Sequence, residues 1–213
     1  MRYGPRITTS GLILCLDAAD RNSYPGTGTT WYDLCRSGIN GTLVNGPTFS
    51  EANEGIITLT ATSSQWIDVP LNLATTTYTV IGAARYTSTG GRTFSARNNN
   101  WLMGHWSGTT ENYYAEGSVV PLGTGAADTN WRIFAATRTP TGPVCDFYVN
   151  GIRGNVNNPA GSGAGPNGFA IGSYAAISEF SNSQIGFMSC YNKVLSLDEI
   201  RQNFNALRVR YGL

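Results

Sequence analysis

The chain has 213 residues, of which 41% are hydrophobic, and this suits one large globular domain. Only 13% of the residues are charged and the net charge is +1 without a basic block, which argues against nucleic-acid binding by phosphate neutralisation. No apolar run approaches the roughly 18 residues of a membrane helix. Residues 1–6 lack the apolar core of a signal peptide, so we predict neither a membrane span nor secretion.

In chain order, the sequence predicts many short strands separated by turn residues. A polar arm, residues 1–10, precedes an apolar run at residues 11–16 that is typical of a buried strand. Asn-Gly pairs at residues 40–41, 45–46 and 150–151 indicate tight turns, because both residue types tolerate positive φ. Such spacing favours a β-sandwich or jelly roll. The other predicted strands are residues 42–44, 56–59, 65–69, 77–86, 93–97, 101–105, 113–115, 131–137, 144–149, 169–172 and 185–190.

The last segment changes from strand to helix periodicity. Ser196 stands three residues before Glu199, which is the spacing of a capping box. Ile200, Phe204 and Leu207 follow at helical spacing. We therefore predict a helix over residues 197–207, with Ile200 and Phe204 facing the sandwich.

Apolar residues in five of the predicted strands are expected to fill the space between two sheets: Leu14, Ile81, Phe134, Phe147 and Phe187. The cysteines are far apart and show no metal-binding spacing. They are Cys15, Cys35, Cys145 and Cys190. Without a secretion signal we expect reduced, buried thiols, and a bridge between Cys15 and Cys190 is the alternative.

Five segments resemble the laminin-G-like domains of the concanavalin A-like lectin/glucanase superfamily. They are GLILCLDAAD (11–20), WYDL (31–34), NGTL (40–43), FYVNG (147–151) and YNKVLSLDEI (191–200). The resemblance runs to the end of the chain. It implies an all-β fold, a two-sheet antiparallel jelly-roll sandwich with one short C-terminal helix, formed as a single domain by residues 11–213 after an arm of residues 1–10.

Three further segments are similar to virion proteins of tailed phages and cyanophages: AADRNSYPG (18–26), WLMGHW (101–106) and YYAEG (113–117). This resemblance implies a non-enzymatic virion protein, either a capsid decoration or cement protein or an adhesive module of the tail or baseplate. The partners would be the major capsid or tail protein, and the chain would form a homo-oligomer, for which a trimer is the first choice. The residues expected to contact a neighbouring subunit are Arg2, Tyr3, Pro5, Arg6 and Ile7.

Binding of host surface glycans is the alternative function. Sugars stack on exposed aromatic rings, and aromatic residues concentrate in the middle of the chain. The candidate sugar-contact residues are Trp101, His105, Trp106, Tyr113, Tyr114 and Trp131. Most of them lie in predicted strands, however, where aromatic residues usually belong to the core.

Calcium is the usual cofactor of laminin-G and legume-lectin relatives, and it requires six or more oxygen ligands. The best local cluster of oxygen ligands is Asp17, Asp20 and Asn22. The competing interpretation is that these residues cap turns by bonding their own backbone. The sequence leaves both readings open, with no cofactor as the default.

Glycoside hydrolysis is a third function, and we expect it to be absent. Glucanases of this superfamily carry Glu-x-Asp-x-x-Glu on one strand, which aligns two carboxylates on the sugar, and this chain has no such motif. A Gly-x-Ser-x-Gly nucleophile motif is also missing. We therefore predict no catalytic residues.

Overall fold

The computed structural model describes residues 6–88, 90–121, 123, 125–139, 144–154 and 164–213. This part of the chain forms β-strands, a few 3₁₀ turns and one α-helix, α1 (Leu197–Leu207). The strands are β1 (Leu12–Asp17), β2 (Thr30–Trp31), β3 (Gly41–Val44), β4 (Thr48–Ser50), β5 (Ile56–Leu59), β6 (Trp66–Asn72), β7 (Tyr78–Tyr86), β8 (Phe94–Ser95), β9 (Trp101–Trp106), β10 (Thr109–Ala115), β11 (Arg132–Arg138), β12 (Cys145–Val149), β13 (Ile152–Arg153), β14 (Asn167–Ile171) and β15 (Ser183–Tyr191). The very short strands β2, β4 and β13 were not among the predicted elements.

The first layer of the sandwich is an antiparallel sheet in the order β13-β12-β11-β7-β15-β5-β4, and β1 also pairs with β15. Strand β15 lies against β7 along one edge. Along its other edge, the beginning of β15 pairs with β5 and its end pairs with β1. Strands β1 and β5 therefore lie end to end beside β15.

The second layer combines two smaller hydrogen-bonded sheets, β14-β6-β3-β2 and β10-β9-β8. They join just after β8, where Ala96 forms an antiparallel bridge with Phe169 of β14. The amide of Arg97 also donates to the carbonyl of Gly168 at 3.0 Å. The two layers enclose the main core, so the predicted antiparallel sandwich with a short C-terminal helix is confirmed.

Only part of the predicted core lies between the layers. Leu14, Phe134 and Phe147 do, and each is at most 1% exposed. Ile81 and Phe187 are equally buried, but they lie in a second apolar cluster on the outer face of the first sheet. The prediction of their position was therefore wrong.

A β-bulge explains the misplaced phenylalanine. The pairing of β15 with β7 shifts between Ile185 and Phe187. Ile185 faces the main core, whereas Phe187 faces the outer cluster, because the bulged residue Gly186 changes which face the following side chains occupy. A Cβ on Gly186 would lie 2.3 Å from the hydroxyl of Tyr211, so a larger residue here would displace the buried Tyr211 ring.

Helix α1 covers the outer cluster. The Ser196 side chain accepts from the amide of Glu199, and the Glu199 carboxylate accepts from the amide of Ser196, so the predicted capping box is present. Ile200 is 3% exposed and Phe204 packs against the cluster, as predicted. None of the helices in the described ranges has the length and apolar character needed to cross a membrane.

The cysteines are all free. Cys15 and Cys190 lie on adjacent strands, but Cys15 belongs to the outer cluster and Cys190 to the main core. Because the sheet separates their side chains, the alternative of a bridge between them is excluded. Burial raises the pKa of the Cys35 thiol to about 11 and that of Cys15 further, so both thiols are protonated at neutral pH.

The described part of the N-terminal arm folds back on its own chain. The amide of Thr8 donates to Oδ1 of Asn203 at 3.3 Å, and the hydroxyl of Tyr191 donates to the carbonyl of Thr8 at 3.0 Å. Ile7 packs against the outer cluster, whereas Arg6 is exposed. Ile7 therefore makes an intramolecular contact, and the inter-subunit contact stays a prediction for both Arg6 and Ile7. The other arm residues, Arg2, Tyr3 and Pro5, lie outside the described residues.

Phe147→Ala should lower the free energy of unfolding by about 3–5 kcal/mol, because the ring is 1% exposed and stacks on Phe134 at 6.1 Å between centroids. Urea denaturation of the purified variant measures this loss. Tyr32→Ala is the control, since Tyr32 is 47% exposed and should change stability by no more than about 0.5 kcal/mol. Equal small losses in both variants would contradict the core assignment.

Ser196→Ala should destabilise the protein by about 0.5–2 kcal/mol, because it removes the side-chain acceptor of the capping box. Thermal denaturation followed by circular dichroism measures the effect. Ser63→Ala is the matched control: Ser63 is exposed and its hydroxyl caps no helix. A loss no larger than the control's would show that the capping box does not stabilise α1.

Candidate functional site

The β9–β10 hairpin decides which aromatic residues face solvent. Its turn consists of Ser107 and Gly108, with φ values of 46° and 81°, and Thr109 pairs with Trp106. Positive φ at both central residues fits a tight two-residue hairpin turn. Along β9, alternate side chains point into the sandwich, and Trp106 is left partly exposed at the end of the strand.

Three of the candidate sugar-contact residues point inward and are 0% exposed: Trp101, His105 and Tyr113. Trp101 Nε1 donates to the hydroxyl of Tyr78 at 2.9 Å, and that hydroxyl lies 2.7 Å from the hydroxyl of Tyr113. These rings form a hydrogen-bonded network in the core. The prediction that they contact sugar was wrong, because a buried ring cannot stack on a ligand at the surface.

His105 packs between the rings of Tyr86 and Phe134, at centroid distances of 4.5 and 5.2 Å. Its Nδ1 is 3.5 Å from Oγ1 of Thr93, and its Nε2 has no hydrogen-bond partner among the described residues. Burial, with a smaller contribution from the positive charge of Arg132, lowers the pKa of His105 to about 3. The imidazole is therefore neutral at physiological pH and belongs to the core.

Trp106 lines two surface clefts that share no other lining residue. The larger has a volume of about 590 Å³ and is lined by Gly90, Gly91, Trp106, Ser107, Gly108 and Glu179. The smaller has a volume of about 200 Å³ and is lined by Arg92, Asn100, Leu102, Trp106 and Tyr114. We call these two clefts, together with the Trp106 ring, the Trp106 site. Of the candidate residues, the structure therefore brings Trp106 and Tyr114 together here.

A network around Glu179 fixes the orientation of the Trp106 ring. Oε2 of Glu179 accepts from Trp106 Nε1 at 2.9 Å and from Arg92 Nε at 2.6 Å. Nη1 of Arg92 donates to Oδ1 of Asn100 at 2.8 Å, and its guanidinium lies 4.3 Å from the ring centroid of Tyr174. The site is thus held in one arrangement before any ligand binds, which lowers the entropic cost of binding.

Backbone contacts place Glu179 and Asn100 at the site. The amide of Arg92 donates to the carbonyl of Glu179 at 3.0 Å. A Cβ on Gly91 would lie 1.5 Å from that carbonyl oxygen, so glycine permits the two segments to approach. On the other side, Oε1 of Glu116 accepts from the amide of Asn100 at 2.6 Å.

Trp131 does not line the Trp106 site, so the structure does not bring this candidate residue together with Trp106 and Tyr114. It is 7% exposed and belongs to the outer cluster of the first sheet. Its ring packs on Tyr211 at 4.5 Å between centroids. The guanidinium of Arg85 lies 5.5 Å from the Trp131 ring centroid, beside a cavity of about 470 Å³. Trp131 thus stabilises the other layer of the sandwich.

The proposed calcium ligands engage other protein groups. Oδ1 of Asp17 accepts from Nη1 of Arg210 and from the amide of Ala19. Oδ1 of Asp20 accepts from the amide and side chain of Asn22 at 2.8 and 2.9 Å. These contacts match the turn-capping alternative, and a guanidinium beside Asp17 opposes binding of a cation. Within the described ranges no three His, Cys, Asp or Glu residues are grouped as metal ligands.

Sequence reasoning missed Arg92, Glu179 and Tyr174. Arg92 and Glu179 are 87 residues apart, and nothing local marks them as a pair. The Ser107-Gly108 pair was a usable signal. As a hairpin turn, it fixes which of the β9 aromatic residues can face solvent.

Comparisons with protein-family models and with curated protein sequences give no match. Solved structures with similar folds include Trypanosoma rangeli sialidase, at 14% identity and a TM-score of 0.64. That match covers 96% of this chain but 34% of the sialidase, so the chain spans about a third of the sialidase's length.

Two further similar structures are each a single domain of a named protein. One is domain 4 of AbnA, a GH43 extracellular arabinanase from Geobacillus stearothermophilus, in complex with arabinotriose. It matches at 14% identity and a TM-score of 0.64, and the match covers 92% of this chain and 98% of that domain. The binding domain of Paraclostridial Mosquitocidal Protein 1 matches at 13% identity and a TM-score of 0.66, covering 92% and 52%. At these identities the likeness shows the fold alone, a β-sandwich.

The buried histidine should make stability depend on pH. The pKa of an unfolded histidine is about 6.5, and in the folded protein that of His105 is lowered to about 3. Between these values the unfolded state binds more protons, so stability falls as the pH falls, by up to about 1.4 kcal/mol per pH unit. Urea denaturation between about pH 7 and pH 5, above the ordinary carboxylate pKa range, measures this slope.

His105→Phe and His105→Gln should each flatten that slope, whatever their stability at pH 7. The comparison uses the change of unfolding free energy with pH in each variant, so an overall loss of stability does not affect it. If both variants keep the slope of the unaltered protein, His105 does not cause the pH dependence.

Proposed function

We propose that this chain is a non-catalytic carbohydrate-binding module and that glycans bind at the Trp106 site. The observation that carries the proposal is the partly exposed Trp106 ring, which is held by Glu179 between two clefts. An indole face is a large apolar surface that packs on the C–H groups of a sugar ring. Ligand sites commonly combine such a surface with a few placed polar groups.

The polar groups beside the ring suit sugar hydroxyls. Nδ2 of Asn100, Oε1 of Glu179 and the hydroxyl of Tyr114 make no hydrogen bond with the described part of the chain. Nδ2 can donate, the carboxylate oxygen can accept, and the phenol can do either. Each hydroxyl of a saccharide needs such partners when it leaves water.

Two of the similar structures support the proposal at the level of the fold. The arabinanase domain is in complex with arabinotriose, and the mosquitocidal protein's domain is described as a binding domain. These properties belong to those proteins. They support the proposal because this chain shares their sandwich and carries its own aromatic site.

The absence of catalysis is part of the proposal. The carboxylates near Trp106 have structural partners: Glu179 holds Trp106 and Arg92, and Glu116 holds the backbone of Asn100. The glucanase pattern of two aligned carboxylates on one strand is missing from the sequence. We therefore expect no release of reducing ends from any glycan that binds.

The sequence resemblance to tailed-phage proteins supports a proposal about location. We propose that the module acts on a virion, as a homo-oligomer attached to the major capsid or tail protein, with host surface glycans as ligands. A decoration role based on protein–protein contacts alone is the second candidate. The low charged content of 13% favours it, because charged residues are depleted at the cores of interfaces. Co-purification with particles of the phage, at a measured copy number, tests both.

Trp106→Ala should weaken glycan binding by about ten-fold or more, as expected when a central aromatic contact worth at least 1.4 kcal/mol is lost. A glycan array followed by isothermal titration calorimetry measures the change. Tyr32→Ala, which removes an exposed aromatic ring outside both clefts, should bind normally. Binding that is unaffected by Trp106→Ala, or no binding to any glycan, would contradict the proposed function.

A further inference from the structure

We infer that the ligand of the Trp106 site is a neutral oligosaccharide that extends across Trp106, with sugar units on both sides of the ring, and that the site discriminates against acidic sugars. This inference rests on the proposed function and specifies its ligand class. It depends on two observations, the charge balance of the clefts and the position of Trp106 between them.

The charged residues that line the two clefts are Arg92 and Glu179, and they neutralise each other. Recognition of a carboxylate by arginine uses two parallel N–H groups of one guanidinium. Arg92 has committed Nε to Glu179 and Nη1 to Asn100, and it is 6% exposed. The described residues that line the two clefts therefore offer no cationic fork to a sialic or uronic acid.

An acidic sugar would instead meet the carboxylate of the pair. The Glu179 side chain is 36% exposed, against 7% for Arg92, so the more accessible charge is negative. A second carboxylate brought here would lose hydration without gaining a cationic partner. A neutral sugar has no such penalty, because its hydroxyls can donate to Oε1 of Glu179 and accept from Nδ2 of Asn100.

The position of Trp106 sets the minimum length of the ligand. The ring lines both the cleft of about 590 Å³ and the cleft of about 200 Å³. The free polar groups are divided between them, with Glu179 on one side and Asn100 and Tyr114 on the other. Because the two sets of groups line different clefts, we expect a ligand that uses both sets to have at least two sugar units.

The experiment uses a glycan array in which each neutral oligosaccharide has a counterpart carrying one sialic or uronic acid. The strongest neutral ligand is then titrated by calorimetry as its monosaccharide, disaccharide and trisaccharide. We expect neutral glycans to bind at least about ten-fold more tightly than their acidic counterparts. The affinity should also rise at least about ten-fold from the monosaccharide to the trisaccharide.

Two variants sharpen the test. Tyr114→Ala alters only the smaller cleft and should bring the affinity for the trisaccharide closer to that for the monosaccharide. Glu179→Gln removes the negative charge beside Arg92 and should reduce the discrimination against acidic glycans.

The outcomes separate this inference from the proposed function. Suppose that Trp106→Ala abolishes binding, so that the proposed function stands. This inference is then wrong if acidic glycans bind as tightly as their neutral counterparts, or if the monosaccharide binds as tightly as the trisaccharide. If no glycan binds, or binding does not need Trp106, both fail.

Discussion

The structure depends on the central position of β15, a strand formed near the end of the chain. It pairs with β7 on one edge and with β5 and β1 on the other. Its two faces contribute to both apolar clusters, through Met188 on the inside and Phe187 on the outside. The first sheet is therefore complete only when residues from both ends of the chain have met. Contacts over such long sequence separations favour slow, cooperative folding.

The Trp106 site also depends on two residues that are far apart in the sequence, Arg92 and Glu179. A guanidinium that is 6% exposed loses hydration, and the ion pair alone need not recover that cost. Here the pair also orients Trp106 and Asn100. The pair therefore fixes the geometry of a surface site. The Trp106 ring is oriented by its hydrogen bond to Glu179, without a bound ligand.

Local patterns made much of the fold predictable, and contacts between distant segments account for what was missed. The capping box of Ser196 lies within four residues and was readable directly. The positions of Ile81 and Phe187 could not be predicted in this way. In a strand that is buried on both faces, apolar residues occupy every position, so the sequence does not show which face a side chain occupies. In β15, a bulge at Gly186 also reverses the faces of the residues that follow it. For the site, composition identified the aromatic segment, but the turn after Trp106 and the hydrogen bond to Glu179 determine which rings face solvent and how Trp106 is oriented.

The terminal segments of the chain and the Trp106 site lie on different layers of the sandwich. Three segments pack on the outer face of the first layer: residues 6–8, helix α1 and the final 3₁₀ turn (Arg208–Tyr211). Trp106 and Tyr114, in contrast, belong to the second layer. Both described ends of the chain therefore lie on the side away from the aromatic clefts. A partner that held the domain by either end would leave the Trp106 face directed outward, so attachment there and the proposed binding at the Trp106 site would use different surfaces.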